Sequence, residues 1–389
     1  MEKKMNILKA AIIGSGFMGS AHAEALRRIA GVEILAIASD DLSRAKEIAE
    51  YYDIPNVFDN WQDAIHHPQV QVVHNCTPNF LHFEINRAVI QAGKHILSEK
   101  PLTINSKDAA ALVNLAKKKN VVTAINFNYR FYPLVQQIRQ LISSGDLGSL
   151  YLIHGNYLQD WLFYDTDYNW RLETDLSGKS RAIADIGSHW CDLVQFVSGL
   201  TIEKVCADLT TIHKQRKKPK QTVETFKGKE ETGGTESDSV PIRTEDAGSV
   251  LLHFTDGVRG VFTVSQVSAG RKNHFCFEID GAKKSVYWNQ EEPNQLWVGY
   301  REKGNEIVIK DPFLLDKNVR QYAHYPGGHP EGYADGPKNL FNNFYGFIRQ
   351  GKDPWKDKTD FPTFVDGCRA NKVVEAIMKS NTRKAWVKV

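Results

Sequence analysis

No two cysteines in this chain are spaced as C-x-x-C, and the five in its 389 residues (Cys76, Cys191, Cys206, Cys276 and Cys368) are odd in number and far apart. That excludes a disulfide framework and a zinc knuckle, and it reads the thiols as small buried hydrophobes. Long apolar runs are missing too. The start is polar, and the apolar stretch after it is too short for a signal sequence or a membrane span. The expected location is therefore the cytoplasm, with no membrane partner. Charge of one sign is also scarce, because 49 Lys and Arg against 46 Asp and Glu leave a net +3. That balance gives no reason to expect nucleic acid as a partner. Internal repeats are absent. What remains is an ordinary globular composition, 42% hydrophobic and 24% charged, at a length that suits two domains.

The first half alternates strand and helix signals. Residues 10–13 are small or branched apolar residues that lead into Gly14, Gly16 and Gly19. This is the G-x-G-x-x-G spacing of a dinucleotide loop. Gly14 makes the tight turn, Gly16 lets backbone approach a pyrophosphate, and Gly19 lets the next helix pack close. A second strand over 33–38 ends at Ser39 and Asp40. Asp40 stands about 20 residues past the loop, where an acidic group bonds the adenosine ribose; the alternative is that it or Ser39 caps the following helix. No basic residue directly follows the strand, which favours NAD over NADP, while Arg44 keeps NADP open. Further strands over 69–76, 94–98 and 121–126 alternate with helices over 80–91 and 106–119. Such repetition implies a parallel sheet covered on both faces.

Near Tyr129 the pattern changes. A helix over 133–143 is followed by longer runs at 150–156, 202–211, 248–254, 260–266, 274–280 and 285–288, several alternating apolar and polar. Such strands belong to an antiparallel sheet with one face buried. The expected fold is α/β: a Rossmann dinucleotide-binding domain over 1–130 and an α+β domain over 131–389, built on an open, mainly antiparallel sheet. Residues 214–239 are polar and read as an exposed, solvated insertion. Residues 325–337 form a Pro- and Gly-rich loop carrying His329.

Three places hold candidate chemistry. Lys100 ends a parallel strand, where ligands bind in open α/β sheets; it can bond a substrate hydroxyl, or it is a surface lysine at a strand end. A helix over 181–198 sets Asp185, His189 and Asp192 in a stripe beside its apolar face. His189 can carry a proton with Asp185 orienting it, or the stripe is a solvated face. Metal binding is not expected there, since no third and fourth ligand is evident. Residues 159–171 mix Trp161 and other aromatics with amides, carboxylates and Arg171, which suits a polyol or a packed cover over the sheet.

Together these residues resemble the Gfo/Idh/MocA family, named for glucose–fructose oxidoreductase, inositol dehydrogenase and a rhizopine-catabolism protein. The likeness rests on Gly14 to Gly19, on Thr77, Pro78 and Asn79 with His82, on Gly93 to His95, on Glu99, Lys100 and Pro101, and on Asp185 to His189. The resemblance implies hydride transfer between NAD, or NADP, and a secondary alcohol of a sugar or cyclitol. It implies Lys100, Asp185 and His189 as catalytic residues. It also implies a cofactor site of Gly14, Gly16, Phe17, Met18, Gly19, Ser39, Asp40, Arg44, Thr77, Pro78, Asn79, His82, Glu99 and Lys100. Tyr129, Arg130, Trp161, Arg171 and His329, with Asp185 and His189, are candidate substrate contacts. Two other functions stay open: a glycoside hydrolase that oxidises transiently with tightly held NAD, and a nucleotide-binding regulator without catalysis. The open sheet face suggests a homodimer or homotetramer.

Overall fold

The computed structural model describes residues 6–220 and 237–389. The chain divides into two compact units, Met1–Phe131 with Tyr333–Asn371, and Tyr132–Gly332 with Lys372–Val389.

In the first unit, strands β1 (Leu8–Ile13), β2 (Val32–Ala38), β3 (Asn56–Phe58), β4 (Val72–Asn75), β5 (His95–Ser98) and β6 (Thr123–Ile125) form a parallel sheet in the order β3-β2-β1-β4-β5-β6. Ala10, Ala11, Ile12 and Ile13 are all buried, as strands covered on both faces require. The helices are α1 (Phe17–Arg27), α2 (Leu42–Tyr51), α3 (Trp61–His66), α4 (His82–Gln91) and α5 (Ser106–Lys119). Asn105 caps α5 by accepting from the Asp108 N–H at 2.9 Å, and Lys117 to Lys119 end it, which suits the helix dipole. The strand order reverses between β1 and β4. Ligands of such sheets bind at that switch point, beyond the carboxyl ends of the strands.

A domain boundary at 130/131 is the sequence reading; in the structure residues 333–371 also belong to the first unit. The helix Asp335–Arg349 buries Leu340, Phe341, Phe344 and Tyr345 on one side, and Arg28 of α1 reaches its Asp335 at 2.5 Å. Return of a distant amphipathic helix leaves no local mark in the sequence. The helix Phe364–Arg383 starts where Asp366 accepts from the Thr363 N–H at 2.7 Å and pairs with Arg130 at 2.9 Å.

In the second unit, α6 (Pro133–Ser143) precedes β7 (Leu150–Leu158), β8 (Ile202–Thr210), β9 (Gln215–Pro219), β10 (Ser237–Pro241), β11 (Ala247–Phe254), β12 (Arg259–Ser265), β13 (His274–Gly281), β14 (Ser285–Asn289), β15 (Gln295–Gly299), β16 (Glu306–Ile309) and β17 (Val387–Lys388). Among the described residues they form a nine-stranded sheet, β16-β15-β14-β13-β7-β12-β11-β8-β17, and the separate hairpin β9–β10. Only β7 and β12 pair in parallel. Strands β15 to β17 lie outside the sequence reading, being only two to five residues long. On the covered face, Trp190 stacks on Phe262 at 4.6 Å and donates its indole N–H to the Cys276 carbonyl at 3.1 Å. On the open face one register row runs Leu251, Val261, His154, Glu278, Tyr287, Trp297, Ile307. Leu251 and Ile307, at its ends, are 50% and 54% exposed.

The loop with His329 is tied down from within. Lys310, with its side chain 1% exposed, pairs with the fully buried Glu331 at 2.7 Å. Its ammonium also donates to the carbonyls of Tyr325 (3.0 Å) and His329 (2.9 Å). Breaking a buried pair on one side strands the other charge at a cost of about 3–5 kcal/mol. Lys310→Met is therefore expected to lower the unfolding free energy in urea by about that amount, and adding Glu331→Leu is expected to restore much of it. A single variant as stable as the parent would show that the pair does not hold the loop.

Candidate active site

The glycine loop follows from steric limits. Gly14 has φ +103°, and a Cβ on it would lie 2.7 Å from the Cys76 carbonyl oxygen, on the turn after β4. A Cβ on Gly19 would lie 2.1 Å from the Gly14 oxygen. Gly16 differs: a Cβ there meets nothing within 4 Å, and no side chain caps the helix it begins. Packing within the protein therefore explains Gly14 and Gly19 but not Gly16. The uncapped N-terminus of α1 beside an open Gly16 fits a pyrophosphate, which would take the helix N–H groups and the space a side chain would fill. Phe17 is exposed and Met18 half-buried, with Tyr333 beside them: its hydroxyl is 3.6 Å from the Met18 sulfur and its ring 6.5 Å from that of Phe17. The sequence reading places Tyr333 in the 325–337 loop with His329 but gives no sign that it lies beside the glycine loop, over 300 residues away.

Ser39 is buried at the end of β2, its hydroxyl 2.8 Å from that of Ser15. The helix α2 is capped by Asp41, which accepts from the Arg44 N–H at 3.0 Å. Asp40 is thus not the cap, and it is exposed at the strand end, in keeping with a ribose contact.

Behind these loops lies a buried polar network. Thr77 donates to Asn75 (2.7 Å), Asn75 to Asn86 (2.8 Å), and Asn86 to Ser98 (3.1 Å). This joins the half-buried Thr77-Pro78-Asn79 turn to the strand that carries Glu99 and Lys100. His82 spans the carbonyl oxygens of Pro101 (2.6 Å) and Thr77 (2.8 Å); burial lowers its pKa and those carbonyls oppose the shift. The Lys100–Pro101 peptide is cis and Lys100 is half-buried. Glu99 is buried and meets His22 at 3.0 Å; the other ring nitrogen of His22 lies 2.9 Å from His74, which in turn lies 2.9 Å from the Tyr345 hydroxyl. Burial pushes the Glu99 carboxyl up, but the His22 bond and charge, the Asn126 amide and Lys100 outweigh it and hold it at about 2. Burial, and then the neighbouring His22, push His74 well down, so it stays neutral.

Tyr129 and Arg130 are buried, and Arg130 is engaged by Asp366 at 2.9 Å. This guanidinium, a candidate substrate contact by sequence, anchors the start of a helix.

In the second unit the helical run over 181–198 opens as a π-turn, Ile183–Gly187, before the α-helix Ser188–Ser198. Single π-turns are frequent at functional sites. Glu245 accepts from the N–H groups of Arg181 (3.0 Å) and Ile183 (2.9 Å) and so caps the run. The stripe is not solvated: His189 and Asp192 are 8% and 5% exposed. Asp185 accepts from the Gln266 amide at 2.9 Å and faces Arg171 at 3.7 Å. Trp161 donates to Gln159 at 2.9 Å, and Gln159 lies 3.5 Å from Gln266. Asp185, Arg171 and Trp161 thus fall into one network whose central member, Gln266, has no sequence signal of its own. Gln266 in turn accepts from Arg181 at 2.8 Å, and Arg181 pairs with Asp246. The His329 imidazole is exposed and meets the Gly327 carbonyl of its own loop at 3.3 Å. No metal motif is legible in the sequence, yet on the open face His154, Glu278 and Asp280 bring three ligand-type atoms within 4.8 Å of one another.

Two family models match. Residues 8–127 match one described as an oxidoreductase family with an NAD-binding Rossmann fold, and residues 135–287 match the GFO/IDH/MocA C-terminal domain. Levoglucosan dehydrogenase of Pseudarthrobacter phenanthrenivorans is 29% identical over 99% of both chains. D-glucoside 3-dehydrogenase of Escherichia coli is 30% identical over 51% of this chain and 56% of its own. A solved structure of levoglucosan dehydrogenase with NADH and L-sorbose superposes with a TM-score of 0.88 at 28% identity, covering 99% of both chains.

The glycine geometry separates two roles. Gly19→Ala is expected to destabilise the fold by about 1–3 kcal/mol through overpacking. Gly16→Ala is expected to stay within about 1 kcal/mol of the parent while losing most of its dinucleotide affinity, read by calorimetric titration. An undiminished affinity in a folded Gly16→Ala protein would exclude a pyrophosphate at this loop. The buried titrating groups also set an acid limit. His74 is held below its ordinary 6.5, so its contribution is present above pH 6.5 and lost as pH falls. Glu99 adds a second loss between its ordinary 4.5 and about 2. Melting temperature is expected to drop from pH 7 to 5, with His74→Gln flattening that slope; an unchanged slope would mean His74 is protonated in the folded chain.

Proposed function

The chain belongs to the Gfo/Idh/MocA oxidoreductase family, and from that premise we propose that it transfers a hydride between NAD and a secondary alcohol or ketone of an uncharged sugar, anhydrosugar or cyclitol. The observation that carries this reading is the network of Asp185, Gln266, Gln159, Trp161 and Arg171. It presents amide, carboxylate and indole groups, the kind that bond hydroxyls and stack on sugar C–H faces. The cations around it have carboxylate partners: Arg171 faces Asp185, Arg181 and Arg216 share Asp246, and Lys218 pairs with Glu173. That matching favours a neutral substrate over a phosphorylated one. Levoglucosan dehydrogenase, alike over the full length, is named for such a sugar.

Bound NAD supplies the acceptor for the hydride. The loop from Gly14 to Gly19 and the N-terminus of α1 take its pyrophosphate, Asp40 its adenosine ribose, and the turn Thr77 to Asn79 with His82 borders it. Lys100 donates to the reacting oxygen and stabilises the charge that develops as hydride leaves. His189 takes the hydroxyl proton on oxidation and returns it on reduction. Asp185, fixed by Gln266, orients the substrate or His189. Five free cysteines, four of them buried, support a reducing, cytoplasmic setting. Among the described residues no helix is long and apolar enough to cross a membrane. The exposed row from Leu251 to Ile307 supports a second copy of this chain covering the open face.

The test is absorbance at the NADH band with NAD and a panel of neutral sugars, anhydrosugars and cyclitols. Turnover on at least one is expected, with Lys100→Ala and His189→Ala each lowering kcat by about 10²–10⁴-fold. No absorbance change across the panel would overturn the reading, and net hydrolysis of a glycoside without net NADH would replace it.

A further inference from the structure

The segment that begins at residue 214 reads from composition as solvated, yet the side chain of Arg216 is fully buried. This corrects the solvated-insertion reading at Arg216, while Lys214, Gln215, Lys217 and Lys220 are exposed as that reading expects; residues 221–236 of the segment lie outside the described residues. The alternation of β9 is the physical reason: Lys217 points outward while Arg216 points in, so charge counts along the sequence hide one inward guanidinium.

What Arg216 meets is the backbone of the candidate substrate loop. One of its terminal nitrogens donates to the carbonyls of Tyr164 (2.7 Å) and Asp167 (3.1 Å). The other donates to the Leu162 carbonyl and to Asp246, both at 2.9 Å. Its neighbours continue the pattern: His213 meets the Phe163 carbonyl at 2.8 Å, the Lys217 N–H donates to the Asp165 carbonyl at 2.9 Å, and the Lys218 ammonium pairs with Glu173 at 2.9 Å. A small apolar cluster, separate from the sheet core, joins Leu162 and Leu172 of the loop to Ile242 just past β10, with Trp161, Tyr168 and Val240 packed against it. The arm thus takes the carbonyls of Leu162, Phe163, Tyr164, Asp165 and Asp167, and the hairpin packs on Leu162, Leu172, Trp161 and Tyr168.

We propose that the β9 arm is a positioning element that sets sugar selectivity, with Arg216 holding the loop over 159–173 in the one shape that presents Trp161 and Arg171 beside Asp185. This rests on the sugar dehydrogenase reading. Asp246 makes the link mechanical: it joins Arg216 to Arg181, which bonds Gln266, which bonds Asp185. The loop and the Asp185 carboxylate are therefore held by a single buried carboxylate. Buried guanidinium–carbonyl bonds are directional and costly to leave unmade, so the loop cannot drift without exposing unpaired groups.

The experiment compares Arg216→Met and Arg216→Lys in the full chain by steady-state kinetics with NAD and two neutral sugars that the parent turns over. Arg216→Met is expected to raise the KM for sugar at least tenfold and to change the ratio of kcat/KM for the two sugars at least fivefold. The KM for NAD is expected to stay within twofold and kcat within about threefold, with Arg216→Lys recovering part of the loss. Amide hydrogen exchange over 161–171 is expected to quicken while that over 188–198 does not. Unchanged sugar KM and ratio in a folded variant, or sugar and NAD KM rising together, would overturn the proposal. If Arg216→Met does not fold, the double variant His213→Ala and Lys218→Ala, at exposed or half-buried positions, replaces it. It is expected to raise sugar KM about threefold, and no rise overturns the proposal. Should the parent turn over no sugar, the dehydrogenase reading fails separately, and the exchange rates decide: unaltered exchange over 161–171 means the arm does not hold the loop.

Discussion

Two guanidinium groups, Arg181 and Arg216, are buried in the second unit, and the carboxylate of Asp246 is the charge they share. Desolvating a cation costs several kcal/mol unless a charge and a full set of acceptors replace the water. Asp246 answers part of that cost and in return is held down in pKa: burial pushes its carboxyl up, while the charges of Arg181 and Arg216 and the His213 N–H outweigh it. Most of the remaining donors find oxygens, Arg216 Nε being left without one, and those oxygens include the ones on Gln266 and on the loop over 159–173. Arg181 takes Gln266 and so fixes the amide that holds Asp185. Arg216 takes three loop carbonyls. The geometry of the Asp185 carboxylate and of the loop over 159–173 are two consequences of one electrostatic requirement.

The first unit repeats the logic with Glu99. Here the buried charge is a carboxylate, and what surrounds it is a line of rings, His22, His74 and Tyr345, together with the Asn126 amide. The Lys100 N–H donates to the same carboxylate at 3.2 Å, so the backbone that launches the Lys100 side chain is fixed by it. The Lys100 side chain therefore leaves from a rigid root, and the buried histidines around Glu99 bear on where it can reach.

The Rossmann half was legible because its requirements are local. A turn that needs φ above zero, a helix start that needs no side chain and a strand buried on both faces each leave their mark within ten residues, as Gly14 to Gly19 and Ala10 to Ile13 do. The alternating runs of the second half likewise announced an open sheet. The rest is held by partners distant in sequence: Asp335 on Arg28, Asp366 on Arg130, Gln266 on Asp185 and Asp246 on Arg216. Each of those residues, alone, has the composition of a surface. Arg216 looked like a solvated charge because charge counts along a segment do not say what covers each side chain.

That difference in range has a functional consequence. In the cofactor half, the groups that would meet the dinucleotide are mostly backbone, and Gly16 is open toward solvent with no packing demand of its own. A backbone site recognises phosphate and ribose chemistry common to every dinucleotide, so it constrains the chain the same way whatever the substrate. In the second unit, the side chains proposed to meet the substrate sit on a loop bonded to a separate hairpin. The covered face of the sheet, with Trp190 on Phe262 and Cys276, does not depend on that hairpin's interior bonds. Selectivity can therefore change through the loop and its arm at little cost to the core, provided the charge balance around Asp246 is kept. A substitution that leaves Arg181 or Arg216 without that carboxylate disturbs the helix with Asp185 and the loop with Trp161 together, because Asp246 is the charge that both share.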